Sequence, residues 1–200
     1  KRELNTLVTK FGSRADLSDD FIEKVAKLGI LEMAQRLSEF REKESLSKQM
    51  NTSARAGKIS HPKLCDASAS AKEREKCTIV FTKGDSAASF MASGMKGIPE
   101  KQHQYWGYFP LRGKILNVRN ATVKQLATNE EIKMIMKIVG LKEKVDYSLP
   151  GAPALRYGKI LVLADADDDG HHIKALLMNF IYHYWPSLAK KEGFICELAT

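Results

Sequence analysis

One stretch of the sequence constrains the fold more than any other, because an apolar run ends abruptly in a cluster of aspartates. Residues 160–163 are Ile, Leu, Val and Leu, a composition typical of a strand buried on both faces. Asp165, Asp167, Asp168 and Asp169 follow within a few positions. Ligands of open α/β sheets bind at the carboxyl ends of the strands. This stretch therefore predicts an α/β domain with a functional site at a strand end.

The alternation of Asp165, Asp167 and Asp169 predicts a metal site. Alternate side chains of an extended backbone point the same way, so we expect the three carboxylates to converge. Like charges so close together repel each other unless a cation lies among them. Hard oxygen ligands in a partly open site favour Mg²⁺. Gly170 is expected to allow a tight turn, followed by a helix over residues 173–185.

Two other interpretations of the aspartate cluster compete with a catalytic metal site. An isolated D-x-D pair is most often part of a solvated acidic loop. The run also has the beginning of an EF-hand loop, D-x-D-x-D-G. An EF-hand requires a bidentate glutamate at its twelfth position, where this chain has Leu176, and a helix before the loop. The position after a predicted strand favours the catalytic metal site.

The overall charge predicts a polyanionic partner. Lys and Arg outnumber Asp and Glu by 32 to 24, so the formal net charge of the 200-residue chain is +8 despite the aspartate cluster. A basic surface around an acidic pocket suits a polyanion whose phosphate is bound through a metal. The three cysteines lack CxxC spacing, which predicts neither disulfides nor zinc and indicates a reducing compartment. No apolar run is long enough to span a membrane.

The remaining pattern predicts a helical N-terminal part and a doubly wound domain. Ser18 is a candidate N-cap, and Gly29 separates its helix from a second helix that runs to about Lys48. Residues 51–76 are rich in Ser, Ala, Lys and Arg, which predicts a basic linker. From residue 77 on, strands alternate with helices, as in a parallel open sheet. The chain begins without Met or a signal peptide, and we expect a piece of a larger protein.

A second predicted strand also ends in candidate functional residues. Residues 77–82 precede Lys83 and Gly84, and the glycine permits a tight turn into a helix with Asp85 or Ser86 as N-cap. If this strand is a neighbour of the aspartate strand, the two following loops meet at one site. The turn lacks GxGxxG, so a dinucleotide-binding fold is not supported.

Three motifs resemble signature motifs of type IIA DNA topoisomerases in their order and spacing. They are Thr82-Lys-Gly-Asp-Ser-Ala87, Pro110-Leu-Arg-Gly-Lys114 and Asp165-Ala-Asp-Asp-Asp-Gly-His-His-Ile-Lys174. In that family these motifs define the TOPRIM domain, a Rossmann-like α/β fold. The second motif and residues 179–188 resemble the eukaryotic and large-DNA-virus topoisomerase II branch more than bacterial gyrase.

The resemblance implies four regions and an enzyme of known type. They are residues 1–17 as the end of the ATPase-side transducer, 18–50 as a helical connector, 51–76 as the basic linker and 77–200 as a C-terminally truncated TOPRIM domain. The implied enzyme is an ATP-dependent homodimer that cuts both strands of a DNA duplex, passes a second duplex through and reseals the first. It would act in the nucleus, or in the host cytoplasm if viral. Its nucleophilic tyrosine lies elsewhere, and of the ATP site only Lys1 is a candidate.

The resemblance also implies roles for individual residues in a metal-assisted phosphoryl transfer. Asp165, Asp167 and Asp169 match the carboxylates that bind Mg²⁺. Side chains that match positions contacting the DNA backbone or adjoining the metal site are Arg112, Lys114, Lys174 and His172.

The chain departs from the family pattern at Lys83, where the pattern has a metal-binding glutamate. A lysine there reverses the charge and repels Mg²⁺. Four explanations stay open: a divergent viral enzyme that binds metal with its aspartates alone, an engineered or inactivated variant, partial substitution by Asp85, or a lysine that takes the place of a cation against the scissile phosphate. Two other functions also stay open, namely a metal-dependent TOPRIM nuclease or primase-like protein and a non-catalytic DNA-binding module.

Overall fold

The computed structural model describes residues 18–53 and 59–198 of the chain. The described residues fall into two compact units, with the boundary between Lys43 and Glu44. The predicted transducer region at residues 1–17, including Lys1, lies outside the described residues. The division into four regions therefore stays a prediction.

Two helices open the described chain, as predicted. Helix α1 spans Asp19–Lys27, and α2 spans Ile30–Ser53. The hydroxyl oxygen of Ser18 accepts a hydrogen bond from the backbone N–H of Phe21 at 3.3 Å, which confirms Ser18 as the N-cap of α1. Gly29 separates the two helices, but α2 continues beyond its predicted end into the region expected to be a linker.

The second unit contains a four-stranded parallel sheet, which confirms the predicted fold class. Its strands are β1 (Thr78–Lys83), β2 (Trp106–Leu111), β3 (Lys159–Leu163) and β4 (Ile195–Glu197). The spatial order is β2-β1-β3-β4, and every neighbouring pair is parallel. The two strands that end in functional residues, β1 and β3, are hydrogen-bonded neighbours with Thr82 opposite Leu163, so the condition under which their loops meet at one site is fulfilled.

Six helices connect or follow the strands. They are α3 (Gly84–Gly94), α4 (Glu100–His103), α5 (Val123–Thr128), α6 (Glu130–Val139), α7 (Asp168–Tyr184) and α8 (Pro186–Ala189). Short 3-10 helices cover Ala71–Lys76 and Met95–Gly97. Helix α5 begins with a capping box between Thr122 and Gln125, and the side chain of Asn129 caps α6. Both helices therefore begin after residues whose side chains are favoured as N-caps.

The sheet is buried on both faces, as the apolar strands predicted. Ile79 and Phe81 of β1 lie in a large core cluster together with residues of α6 and α7, such as Ile135 and Phe180. The alternate residue Val80 belongs to a second cluster with Met91 of α3 and Leu163 of β3. Successive side chains of a strand point to opposite faces, so helices cover both sides of the sheet.

Part of the predicted linker packs against the sheet unit. Ile59 is buried in the large core cluster. The backbone of Cys65 forms an antiparallel bridge with Tyr108 of the edge strand β2, with N···O distances of 2.9 and 3.0 Å. The N–H of Ala67 donates to the hydroxyl oxygen of Tyr157 at 2.8 Å. These contacts use single apolar residues and backbone groups, which leave no periodic pattern in the sequence.

Cysteine pairing and membrane-spanning length were both considered from the sequence. The three cysteines are free; Cys77 is buried, whereas Cys65 and Cys196 are exposed. Within residues 18–53 and 59–198, no helix is long and apolar enough to cross a membrane.

Candidate functional site

The candidate site lies where the strand order of the sheet reverses. From β1 the chain passes to β2 on one side and then to β3 on the other, so the loops after β1 and β3 leave the sheet in different directions. Lys83 is the last residue of β1, and the aspartate cluster follows the end of β3. This crevice is the position at which open α/β sheets bind ligands.

The aspartate cluster does not form one extended run. Asp167 is extended, with φ −108° and ψ 168°, but α7 already begins at Asp168, so Asp169 belongs to the first helical turn. The prediction that an extended backbone aligns Asp165, Asp167 and Asp169 is therefore wrong, and the helix begins five residues before its predicted start at Ile173. The cause is local: Asp167 is a strong N-cap, and carboxylates are favourable in the first turn of a helix.

Gly170 is required by a close approach of two backbone segments and not by a turn. It lies within α7, where a Cβ atom would be 2.1 Å from the carbonyl oxygen of Asp165. Its N–H donates to Oδ1 of Asp167 at 2.6 Å. Glycine thus lets the first turn of α7 lie directly against the strand end.

The turn after β1 brings a lysine into contact with the aspartates. Gly84 has φ +74°, which favours glycine, and α3 starts at this residue with Lys83 in the N-cap position. Helix α3 therefore begins before the predicted caps Asp85 and Ser86, whose side chains lie outside the described part of the structure. Nζ of Lys83 lies 2.6 Å from Oδ2 of Asp167.

The ion pair between Lys83 and Asp167 keeps both groups charged. The hydrogen bond to Asp167 raises the pKa of Lys83, and the nearby carboxylates of Asp169 and Asp165 add to this effect. The hydrogen bond from Lys83 lowers the pKa of Asp167, and the N–H of Gly170 lowers it further. The Lys83 side chain is 25% exposed and that of Asp167 is 51% exposed, so the lysine is less hydrated than in an ordinary surface salt bridge.

A second lysine reaches the cluster from the loop after β2. Nζ of Lys114 lies 3.0 Å from Oδ1 of Asp169. The preceding Gly113 has φ +125°, a backbone conformation that favours glycine. The N–H of Arg112 donates to a carboxylate oxygen of Glu131 at 2.6 Å, which joins the loop to the first turn of α6. Burial raises the pKa of Glu131, whereas its hydrogen bond from the Arg112 backbone lowers it.

The other predicted DNA-contacting residues occupy different environments. The side chain of Arg112 is exposed. His172 is exposed and makes no hydrogen bond or ion pair with any described residue. Lys174 is only 12% exposed, and its Nζ lies 3.5 Å from a carboxylate oxygen of Glu197 in β4. The structure therefore brings Lys114 to the carboxylates, whereas Lys174 contacts the edge strand.

The donor atoms fit a hard divalent cation in their chemistry but not in their arrangement. Both carboxylate oxygens of Asp167 have partners, and Asp169 is paired with Lys114. Asp165 is exposed and has no side-chain partner among the described residues. In the part of the chain that the structure describes, no group of three His, Cys, Asp or Glu side chains is placed to hold a metal ion. Ammonium groups thus pair with two of the four aspartates of the cluster.

Comparison with known proteins assigns the domain. Residues 78–199 match the Toprim domain, which covers more than half of the chain. The chain belongs to the Toprim domain family. This assignment agrees with the parallel sheet and with the site at its switch point. The fold inferred from the three motifs is therefore confirmed.

The relatives of this Toprim chain are DNA topoisomerases. It is 46% identical over its whole length to DNA topoisomerase 2 of Acanthamoeba polyphaga mimivirus, 45% to DNA topoisomerase 2-beta of Homo sapiens and 40% to DNA topoisomerase 2 of Arabidopsis thaliana. It spans only 15%, 12% and 13% of those proteins, respectively. The resemblance to type II topoisomerases is therefore confirmed.

A solved structure supports the same assignment. The Toprim chain is similar to the crystal structure of the Plasmodium falciparum topoisomerase II DNA-binding, cleavage and re-ligation domain, with a TM-score of 0.66 and 42% sequence identity. The similarity covers 73% of this chain and 20% of that one.

Several contacts of the site left no signal in the sequence. The motifs marked Lys83 and Lys114 as unusual or basic residues but did not indicate that each pairs with a particular aspartate. Glu131 was not recognised at all, because it is one of many acidic residues in the first turns of helices. The possible adjacency of β1 and β3 indicated that their loops could meet, but not that Lys83 would pair with Asp167.

Proposed function

We propose that this Toprim chain is the metal- and DNA-binding part of an ATP-dependent type II DNA topoisomerase. The observation that carries the proposal is the meeting of carboxylates and lysines at the switch point of a chain that matches DNA topoisomerase 2 proteins along its whole length. In the whole protein, a tyrosine from another domain would attack the DNA, and two copies of the protein would act together. We further propose that the whole protein acts in the nucleus, or in the host cytoplasm if it is a viral enzyme.

The residues of the site suit a phosphodiester substrate. Arg112, Lys114 and His172 are exposed and can attract or contact phosphate. Mg²⁺ is the proposed ion, because it prefers carboxylate oxygens, and Asp165, Asp167 and Asp169 are the side chains that would hold it. When bound, it would stabilise negative charge on the phosphate. Lys174 can contact DNA only if it leaves Glu197.

A non-catalytic DNA-binding module is the second candidate function. The ion pair between Lys83 and Asp167 favours it, because a carboxylate that binds an ammonium group is less available to a metal. A different Toprim nuclease or primase-like protein is less well supported. The relatives named above match this chain along its whole length, and all of them are DNA topoisomerase 2 proteins.

The test is Mg²⁺-dependent cleavage of supercoiled DNA by the full-length protein that contains this chain. We expect Asp165→Asn to lower the cleavage rate by about tenfold or more, because a metal-binding carboxylate is lost. Asp168→Asn is the matched control, since Asp168 is an exposed neighbour with the same charge and no predicted role. Equal rates for the two variants would contradict the catalytic function. DNA binding without cleavage by the unsubstituted protein would support the non-catalytic module.

A further inference from the structure

We propose that Lys83 is a built-in counterion for Asp167, in the place of a divalent cation, so that this Toprim domain binds metal more weakly than its carboxylates alone would allow. The inference deepens the proposed function, on which it rests for the identity of the metal-binding carboxylates. It concerns a residue at which the chain departs from the family's pattern.

Two features of the fold hold Lys83 next to Asp167: one fixes the position of the lysine and the other the orientation of the carboxylate. Lys83 ends β1, and β1 is hydrogen-bonded to β3 up to the pair Thr82 and Leu163, so the two loops start from fixed neighbouring positions. The N–H of Gly170 holds Oδ1 of Asp167, which leaves Oδ2 directed to Nζ of Lys83 at 2.6 Å. A metal ion can bind Asp167 through Oδ2 only if it displaces the ammonium group.

The partial burial of Lys83 distinguishes it from the other lysine of the cluster. Lys114 is 56% exposed and lies 3.0 Å from Asp169, which is also exposed. Exposed ion pairs of this kind contribute little and open readily. Asp167 is 51% exposed, but Lys83 is only 25% exposed, so water screens the charge of this lysine less than that of Lys114. Lys83 is therefore the stronger competitor of a metal ion.

The charge balance of the cluster gives the direction of the effect. Asp165, Asp167 and Asp169 carry three negative charges, and Lys83 and Lys114 compensate two of them. Replacement of Lys83 by a neutral residue removes one of these two compensating charges, so a cation meets one more negative charge. The affinity for a divalent ion should rise, because the electrostatic attraction between a carboxylate and an ion of charge +2 is twice that for a singly charged ion at the same distance.

The experiment measures Mn²⁺ binding to the full chain by the loss of the electron paramagnetic resonance signal of free Mn²⁺. We expect Lys83→Gln to raise the affinity about tenfold or more, whereas Lys83→Arg, which keeps the positive charge, should stay within about twofold of the unsubstituted chain. Lys83→Met is a second neutral variant, which keeps the test valid if Lys83→Gln does not fold. Circular dichroism checks folding of each variant.

Lys133→Gln is the matched control for net charge. Lys133 is 27% exposed and pairs with Glu130 at 2.8 Å, so its burial and pairing resemble those of Lys83, but it lies in α6. This variant should not change Mn²⁺ affinity by more than about twofold, because the removed charge is not part of the cluster. An equal gain in Lys133→Gln and Lys83→Gln would overturn the inference in favour of a general charge effect.

The failure of the inference and that of the proposed function give different results. If folded Lys83→Gln and Lys83→Met bind Mn²⁺ no more tightly than the unsubstituted chain, Lys83 is not a competitor, whatever the cleavage assay shows. If Asp165→Asn and Asp168→Asn cleave DNA equally well, the proposed catalytic function fails, and a gain of affinity in Lys83→Gln would still support the counterion.

Discussion

At the scale of single residues, Asp167 is the most constrained member of the site. One carboxylate oxygen caps α7 through the N–H of Gly170, and the other pairs with Lys83. The sequence indicates the first contact, because Asp is a preferred N-cap residue. It does not indicate the second, because Lys83 lies 84 positions away along the chain.

These two contacts can be separated by two substitutions of Asp167. Asp167→Ala removes both the cap and the ion pair, whereas Asp167→Asn keeps an oxygen that accepts the hydrogen bond of Gly170. We therefore expect a lower melting temperature for Asp167→Ala than for Asp167→Asn, measured by circular dichroism at pH 7. Equal melting temperatures would show that the cap contributes nothing to the stability of α7.

The same pair predicts a dependence of stability on pH. The pKa of Asp167 is lowered in the folded chain, so its stabilising contribution is complete above the unfolded pKa of about 4 and is lost as the pH falls through the folded value. The difference in stability between the unsubstituted chain and Asp167→Asn should therefore shrink when the pH is lowered below about 4.

At the scale of elements, the start of α7 depends on a contact that its own sequence pattern does not contain. The apolar periodicity becomes clear only from Ile173, but the helix begins at Asp168 and lies against the end of β3. Gly170 permits this approach, because any side chain at this position would meet the backbone of Asp165.

We expect Gly170→Ala to destabilise the chain by about 1–3 kcal/mol, because the new Cβ atom would lie 2.1 Å from the Asp165 carbonyl oxygen. Urea denaturation measures the change. Gly94→Ala is the control: Gly94 is helical, with φ −62° and ψ −32°, and its added Cβ atom would meet no heavy atom within 4 Å. That variant should be neutral or slightly stabilising, because alanine favours helices over glycine. A neutral Gly170→Ala would disprove the close approach.

At the scale of the whole molecule, one polar network joins the segment before β1 to the loop before β3. The Tyr157 hydroxyl group donates to a carboxylate oxygen of Asp66 and accepts a hydrogen bond from the N–H of Ala67. Arg156 forms an ion pair with the same aspartate. Burial raises the pKa of Tyr157, so its hydroxyl group stays neutral at physiological pH. The network fixes a segment that by composition resembles a solvated linker.

We expect Tyr157→Phe to destabilise the chain by about 1–3 kcal/mol, because the Ala67 N–H and Asp66 lose a hydrogen-bond partner. Tyr182→Phe is the control, since Tyr182 is exposed and has no hydrogen bond with a described residue. Chemical denaturation at pH 7 measures both changes. A loss of the same size in the two variants would refute the role of the network.

The contribution of Tyr157 should also depend on pH in the alkaline range. A raised folded pKa makes the stabilisation complete below the unfolded pKa of about 10, and it decreases as the pH rises above that value. The difference in stability between the unsubstituted chain and Tyr157→Phe should therefore fall above about pH 10.

The sequence by itself determined the parallel α/β class, the helix cap at Ser18 and the position of the aspartates at a strand end. These features depend on neighbours along the chain, such as apolar runs, turn glycines and capping side chains, which a local pattern records. The three family motifs also allowed the Toprim domain to be predicted, because they contain the residues of its site.

Only the tertiary structure decided which charges meet. Lys83 reaches Asp167 because β1 and β3 are adjacent, and Tyr157 reaches Asp66 across 91 positions of the chain. The packing of the strands brings these residues together, and no pattern along the sequence encodes their distances. The aspartate cluster is therefore predictable as a set of carboxylates, whereas its compensation by lysines follows only from the fold.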